Sequence, residues 1–170
     1  MKPPGVSVGS AWAAVPTSGL SAGASTVTVK ATDATGTTTV TRAVTLNGTY
    51  AWTVKAVKVK GTWSTYKTKH SPTGKGRTST KKSSTATAKV WGHGLVLTFD
   101  RSAKAGKVKV TVDGKSTTLD LYNKAGKTLT KTWTFSGALK SHTVVVTVLG
   151  KKNTHSKGTA ALLAALKVKS

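Results

Sequence analysis

The sequence predicts an all-β protein, an antiparallel β-sandwich or jelly roll with a short β segment before it. Thr and Val are abundant and Glu is absent, and β-branched residues favour strands. Apolar and polar residues alternate strictly in Lys107–Val112 and nearly so in Val54–Lys60. This is the two-residue period of a strand that buries one face and presents lysines to water on the other.

The alternation, read together with turn residues, predicts a series of short strands. Asp113-Gly114 lies between two alternating runs and indicates a two-residue hairpin. Short strands at this spacing are typical of sandwiches and jelly rolls. The predicted strands cover about residues 25–31, 37–46, 51–60, 86–91, 94–99, 107–113, 116–122, 130–135 and 142–149.

Two segments depart from this pattern. Residues 64–85 contain many cations and no aliphatic core former, so we expect a long exposed loop there. The tail Thr159–Val168 is rich in Ala and Leu, which favour helix, but its length also suits a final strand, and the local pattern leaves both open. We predict a partial β segment over residues 1–48 and the sandwich over residues 49–170.

The charge indicates an anionic partner. The chain has 27 Lys and Arg against 4 Asp and a net charge of +23, and Arg occurs only at Arg42, Arg77 and Arg101. Lysine is a hydrated point charge suited to diffuse attraction, whereas bidentate recognition of phosphate or guanine uses arginine. We therefore expect binding to an anionic surface and no specific nucleic-acid recognition.

Other global features exclude some classes of protein. The chain has no cysteine, which rules out disulfides and thiolate metal sites. No stretch has the length of a transmembrane helix, so no transmembrane segment is expected. The first residues lack the apolar core of a secretory signal, which fits a segment of a longer chain, a processed form, or a protein that is not exported by that route.

From about Tyr50 onward, short motifs follow one another in an order that resembles a known module. They are Gly61-Thr62-Trp63-Ser64, Gly76-Arg77, Gly92-His93-Gly94-Leu95, Lys107–Lys115 with Leu119-Asp120-Leu121-Tyr122, Ser141-His142-Thr143-Val144, and Leu149–Asn153. The order resembles the galactose-binding-like jelly-roll module at the C-termini of secreted actinobacterial proteins. That resemblance implies a non-catalytic accessory module that holds hydrolases to glycan or cell wall.

Two further comparisons with families can be made from the residues. Thr26–Leu46 resembles the last hairpin of bacterial Ig-like modules, in which an A-T-D-x-x-G turn joins two Thr-rich strands. Near the C-terminus, Ala164 stands where relatives of the jelly-roll module carry an acidic residue. If the family's ligand site uses that acid, this chain binds a different ligand or none.

The sequence offers little for catalysis. Glycoside hydrolysis uses two carboxylates, one of them with a raised pKa, and only Asp33, Asp100, Asp113 and Asp120 are available. Turns explain Asp33 and Asp113, and lysine-rich surroundings should lower the pKa of Asp100 and Asp120, the wrong direction for a general acid. No G-x-S-x-G elbow or metal-ligand histidine spacing occurs. We predict no enzyme, no catalytic or metal site and no cofactor.

The candidate ligand-binding residues are aromatic and cationic side chains in or near predicted loops. Tyrosine rings can stack on sugars, and cations can pair with sugar carboxylates, sulfates or phosphates. A solvated run of charge is the alternative interpretation of the same cations. The predicted site comprises Tyr66, Lys67, Lys69, Lys75, Arg77, Arg101, Lys104 and Tyr122.

The tryptophans are assigned differently from these tyrosines. Trp63, Trp91 and Trp133 fall in predicted strands and are expected to pack in the core, whereas Trp12 lies nearer a loop and is expected to be exposed. No prediction about ligand binding rests on them.

Together these features favour a non-catalytic binding or adhesion module of an exported bacterial protein, located outside the cell or on its surface. Its expected partner is an anionic polysaccharide or teichoic acid. The alternative is a structural surface protein of a virion or extracellular filament, whose partners would be other protein subunits.

Overall fold

The computed structural model describes residues 23–33, 36–46, 48–138 and 140–169. Every regular element in these ranges is a β-strand. The strands are β1 Gly23–Asp33, β2 Gly36–Leu46, β3 Gly48–Ala51, β4 Lys58–Lys60, β5 Ser64–Lys67, β6 Lys75–Ser79, β7 Thr85–Trp91, β8 Gly94–Asp100, β9 Lys107–Val112, β10 Lys115–Asp120, β11 Thr128–Thr134, β12 Ser141–Val148 and β13 Ala161–Lys169.

Two antiparallel sheets form a sandwich. One has five strands in the order β10-β9-β12-β7-β4. The other has six strands, in the order β11-β8-β13-β6-β5, with β3 also paired to β13. β1 and β2 pair with each other in a two-stranded sheet. The predicted all-β antiparallel sandwich is confirmed.

The core lies between the two sheets and follows the alternation seen in the sequence. In β9 every second residue is a buried valine, and in β12 the buried alternate positions are His142 followed by three valines, as the predicted two-residue period requires. Strand β8 supplies large side chains to the same core. The buried residues of these three strands are Leu95, Leu97, Phe99, Val108, Val110, Val112, Val144, Val146 and Val148.

The predicted strand over residues 51–60 is wrong in its middle. β3 ends at Ala51 and pairs with β13, whereas β4 begins at Lys58 and pairs with β7 in the other sheet. Turns with hydrogen bonds from Val54 N to Ala51 O (3.2 Å) and from Val57 N to Val54 O (3.0 Å) connect the two strands. Trp52 is fully buried at this crossing, and burying its ring accounts for the interruption of the extended chain.

The predicted loop over residues 64–85 is wrong in its conformation, although most of the segment is exposed, as expected. The segment contains β5 and β6, which pair with each other, and β6 pairs in addition with β13. Gly76, Ser79 and Ser84 are buried. Strand β6 forms without aliphatic side chains because its backbone pairs with β13, and β5 in turn pairs with β6. A search for apolar alternation does not detect strands of this kind.

The C-terminal tail is a strand, the second of the two interpretations that the sequence left open. β13 lies in the middle of the six-stranded sheet, with β8 on one side and β6 and then β3 on the other. Burial on both faces explains why its apolar residues run continuously instead of alternating. Ala164 is fully buried at a register shift between Leu163 and Ala165.

The N-terminal strands are where the alternation predicted them, at β1 and β2. Their assignment to an Ig-like module and the domain boundary at residue 48 stay predictions. Trp12 lies outside the described residues.

Candidate ligand-binding site

Three of the predicted lysines meet at the turn of the β5–β6 hairpin. Lys67 lies opposite Lys75 across the strand pair, and Lys69 lies in the connecting turn. All three are exposed. With Thr68, Thr73 and Gly74 they line an open cavity of about 580 Å³, which we call the hairpin cleft.

Local hydrogen bonds hold the turn that carries this cleft. Thr68 N donates to Gly74 O at 3.0 Å and Gly74 N donates to Ser71 O at 3.0 Å. Gly74 has φ +68, a left-handed conformation that a side chain disfavours. The hairpin connection is therefore ordered by its own backbone, and the lysines project from a defined turn.

Tyr66 anchors the hairpin to the sandwich. Its hydroxyl donates to Asp100 Oδ2 at 2.7 Å, and His70 Nδ1 donates to Asp100 Oδ1 at 2.7 Å. Burial, together with the hydrogen bond to Asp100 and the charge of that carboxylate, raises the pKa of Tyr66 far above its ordinary range. Tyr66 was expected to be exposed, but its ring is half-buried and its hydroxyl is a fixed donor.

The two predicted arginines bind backbone carbonyls. Arg77 lies in β6, and its Nε donates to Trp52 O at 2.8 Å. Strands β3 and β6 pair with successive parts of β13, and this hydrogen bond joins the two strands where they meet. Arg101 Nη2 donates to Tyr122 O at 2.5 Å. Lys104 is exposed after β8. The structure thus brings Tyr66 to the hairpin lysines and Arg101 to Tyr122, and both arginines stabilise the fold.

Asp113 joins two of the motifs that carry the family resemblance. Its Oδ2 accepts a hydrogen bond from His142 Nδ1 at 2.5 Å, and its Oδ1 accepts one from Thr143 N at 2.8 Å. His142 is buried and stacks on Phe135 with ring centroids 3.6 Å apart. With φ angles of +47 and +83, Asp113 and Gly114 form the predicted two-residue turn.

Asp120 joins another pair of those motifs. Its Oδ1 accepts a hydrogen bond from Tyr122 N at 2.9 Å, and its Oδ2 accepts one from Asn153 Nδ2 at 2.9 Å. In this chain, therefore, Asp113 and Asp120 hold neighbouring segments of the fold together.

The pKa values of both carboxyl groups are below their ordinary value. For Asp113, burial acts to raise the pKa, but hydrogen bonds from His142 and Thr143 and the nearby charge of Lys140 lower it overall. For Asp120, burial is again opposed by hydrogen bonds from Asn153 and Tyr122 and by the positive charges of Lys107 and Arg101. For Asp120 the direction agrees with the expectation from the sequence, but the two hydrogen bonds lower its pKa more than the cations do.

We expect the protein to lose stability in acid. Because these two carboxyl groups have a lower pKa in the folded than in the unfolded chain, where it is about 3.9, their stabilisation is complete only above about pH 5. It is lost as the pH falls through the folded pKa values. Urea unfolding at pH values from 7 to 2 should show this decline, and Asp120→Asn should make it shallower. An equal decline in that variant would contradict the assignment to Asp120.

Across the residues that the structure covers, no group of three or more His, Cys, Asp or Glu side chains is placed to hold a metal ion. In the same part of the chain, no helix has the length and hydrophobicity to cross a membrane.

A second cavity, of about 400 Å³, lies at the edge of the sandwich formed by β10 and β11. Trp133, Phe135, Lys115, Lys140 and Asp113 are among the residues that line it. Trp133 packs partly against the core, as its place in a strand predicts. Its second role as a cavity wall was missed because the sequence alone does not show that β10 and β11 lie at the same edge.

No protein-family profile matches the sequence, and a search of curated proteins finds no significant match. Solved structures do resemble the fold. A two-domain esterase active on acetylated mannans, co-crystallized with mannopentaose, aligns with a TM-score of 0.57 and 19% sequence identity over 73% of this chain and 37% of the esterase.

Two other solved structures give similar matches. A family two carbohydrate esterase from Cellvibrio japonicus aligns with a TM-score of 0.52 and 17% identity, over 72% of this chain and 33% of that one. A Paenibacillus xanthan lyase aligns with a TM-score of 0.50 and 14% identity, over 66% of this chain and 12% of the lyase. The chain spans well under half the length of each of these proteins, and at such identities the likeness establishes a shared β-sandwich fold.

Proposed function

We propose that this chain is a non-catalytic carbohydrate-binding module of an exported bacterial protein, which attaches to anionic polysaccharide or teichoic acid outside the cell. The hairpin cleft is the observation that carries the proposal. It places Lys67, Lys69 and Lys75 around one open cavity on a β-sandwich. Similar sandwiches occur in an esterase active on acetylated mannans and in a xanthan lyase.

The charge of the cleft is available to a ligand. In the described ranges, the carboxylate nearest the hairpin is Asp100, and its two oxygens bind Tyr66 and His70. No described carboxylate lies within ion-pair distance of the cleft lysines. An anionic polymer would therefore find unneutralised lysines, with an attraction that is screened by salt.

The state of two carboxyl groups, Asp113 and Asp120, supports a binding role without catalysis. A general acid in glycoside hydrolysis needs a raised pKa, whereas the pKa values of Asp113 and Asp120 are lowered. Both side chains also use their oxygens in hydrogen bonds that connect separate segments of the chain.

We expect the variant Lys67→Gln/Lys69→Gln/Lys75→Gln to bind Gram-positive cell wall about tenfold more weakly than the parent chain, since each lost surface ion pair contributes up to about 1 kcal/mol. Cosedimentation with purified wall measures this effect. Repeating the assay after teichoic acid removal, at low and high salt, identifies the anionic polymer.

The matched control is Lys58→Gln/Lys89→Gln/Lys109→Gln, which removes the same charge from exposed positions of the five-stranded sheet. Its binding should fall much less than that of the cleft variant. Equal losses in both variants would mean diffuse attraction without a defined cleft. Absence of wall binding by the parent chain would contradict the proposal and favour the structural surface role in a virion or filament.

A further inference from the structure

We infer that the cavity between β10 and β11 is a second binding site, selective for a pyranose sugar that carries a carboxylate. This site is separate from the hairpin cleft and does not rest on it. The cleft belongs to the β5 edge of the six-stranded sheet, and the second cavity belongs to the opposite edge, at β11.

Two aromatic side chains form the apolar part of the cavity. Trp133 lies near the end of β11 and Phe135 directly follows that strand, and both are half-buried and packed against the core. Phe135 is also held by its stack on the buried His142. The ring surfaces are therefore fixed in place, and fixed aromatic surfaces can stack on the C–H face of a sugar ring.

Charged groups surround these rings. Lys115, directly after the Asp113-Gly114 turn, and Lys140, before β12, are exposed and line the cavity. Asp113 faces the same space with 43% of its side chain exposed. Two lysines against one carboxylate leave an excess of positive charge, which favours an anionic ligand.

Asp113 can also orient the sugar. An ionised carboxylate has about four acceptor positions, and His142 and Thr143 occupy two of them on Asp113. The remaining positions can accept hydrogen bonds from sugar hydroxyls. His142 and Thr143 hold the carboxylate in position before a ligand arrives, which lowers the entropic cost of binding.

The lining of the cavity distinguishes it from the hairpin cleft. The volumes of both, about 400 and 580 Å³, lie within the range of small-molecule sites, about 300–1,000 Å³, but only the second cavity has aromatic walls. The hairpin cleft is lined by lysine, threonine and glycine and has no aromatic wall. The cleft suits a charged polymer chain, whereas the second cavity suits one acidic ring.

The test is a titration of the ¹⁵N-labelled protein with digalacturonic acid, followed by NMR. We expect shifts of the Trp133 indole N–H, identified from its loss in Trp133→Phe, and of the Lys115 and Lys140 amides, with residues 67–75 unmoved. Lys115→Gln/Lys140→Gln should weaken binding about tenfold. The control Lys109→Gln/Lys131→Gln, with the same loss of charge from exposed positions, should bind as the parent does.

Two further probes test the class of ligand. Galactobiose has sugar rings without the acid, and glycerol phosphate has an anion without the ring, so both should bind much more weakly than digalacturonic acid. Equal binding of either would overturn the assigned chemistry. Shifts confined to the hairpin, or no shifts, would overturn the location. Because wall cosedimentation reports on the hairpin cleft, the two sites can fail independently.

Discussion

Replacing Asp113 with alanine is expected to lower the free energy of unfolding by about 2–4 kcal/mol. The substitution leaves the buried His142 Nδ1 without its acceptor and removes the acceptor of Thr143 N. It also puts alanine at φ +47, a left-handed conformation that Asp and Asn tolerate better. Urea unfolding at pH 7 measures the change.

Asp113→Asn is the matched control for this substitution. Asparagine tolerates the same backbone conformation, and its carbonyl oxygen can still accept the hydrogen bond from Thr143 N, so it should lose less stability than alanine. Asparagine has only one side-chain oxygen and cannot replace both carboxylate oxygens as acceptors. The Asp113→Asn variant should therefore remain less stable than the parent chain. Parental stability of the alanine variant would show that the Asp113–His142 contact does not support the fold.

Gly76→Ala is expected to cost about 3 kcal/mol of stability and to disrupt the hairpin cleft. A Cβ at this position would lie 2.5 Å from Tyr66 Cε1 and 2.6 Å from the backbone oxygen of Leu163. Tyr66 passes over Gly76 to reach Asp100, so the ring has to leave that path. The Leu163 oxygen belongs to the neighbouring strand β13, which is held in the sheet by pairing to β6 and β8.

The measurement for Gly76→Ala combines urea unfolding with cell-wall cosedimentation, and both stability and binding should fall. Thr65→Ala, an exposed position on the adjacent strand β5, is the control and should change neither by much. If Gly76→Ala were as stable as the parent chain, the close approach of Tyr66 to Gly76 would not be required for the fold. If it bound cell wall as well as the parent chain, binding would not depend on the geometry of the hairpin.

Several predictions from the sequence hold because they depend on local chemistry. The alternation in Lys107–Val112 predicted a strand with a buried valine face, and the structure has that strand. The Asp113-Gly114 turn follows from the ease with which these two residues adopt positive φ.

Other predictions failed where a neighbouring strand decides the local conformation. The segment 64–85 has no apolar alternation, yet β6 forms because β13 provides its hydrogen-bond partners. Trp52 interrupts a run that resembles a strand because its ring is drawn into the core between the sheets. A pattern of residues along the sequence does not show which distant strands pair with each other.

The predicted binding site likewise combines features that the sequence determines with features that only the tertiary structure determines. From the sequence alone it was evident that the chain is rich in lysine and poor in acid, that Lys67, Lys69 and Lys75 lie close together along it, and that its strands form an all-β protein. Only the tertiary structure determined that Tyr66 binds Asp100, that both arginines bind backbone carbonyls, and that Trp133 shares a cavity with Lys115 and Lys140. Composition and alternation are local properties, whereas these contacts join residues that the pairing of distant strands brings together.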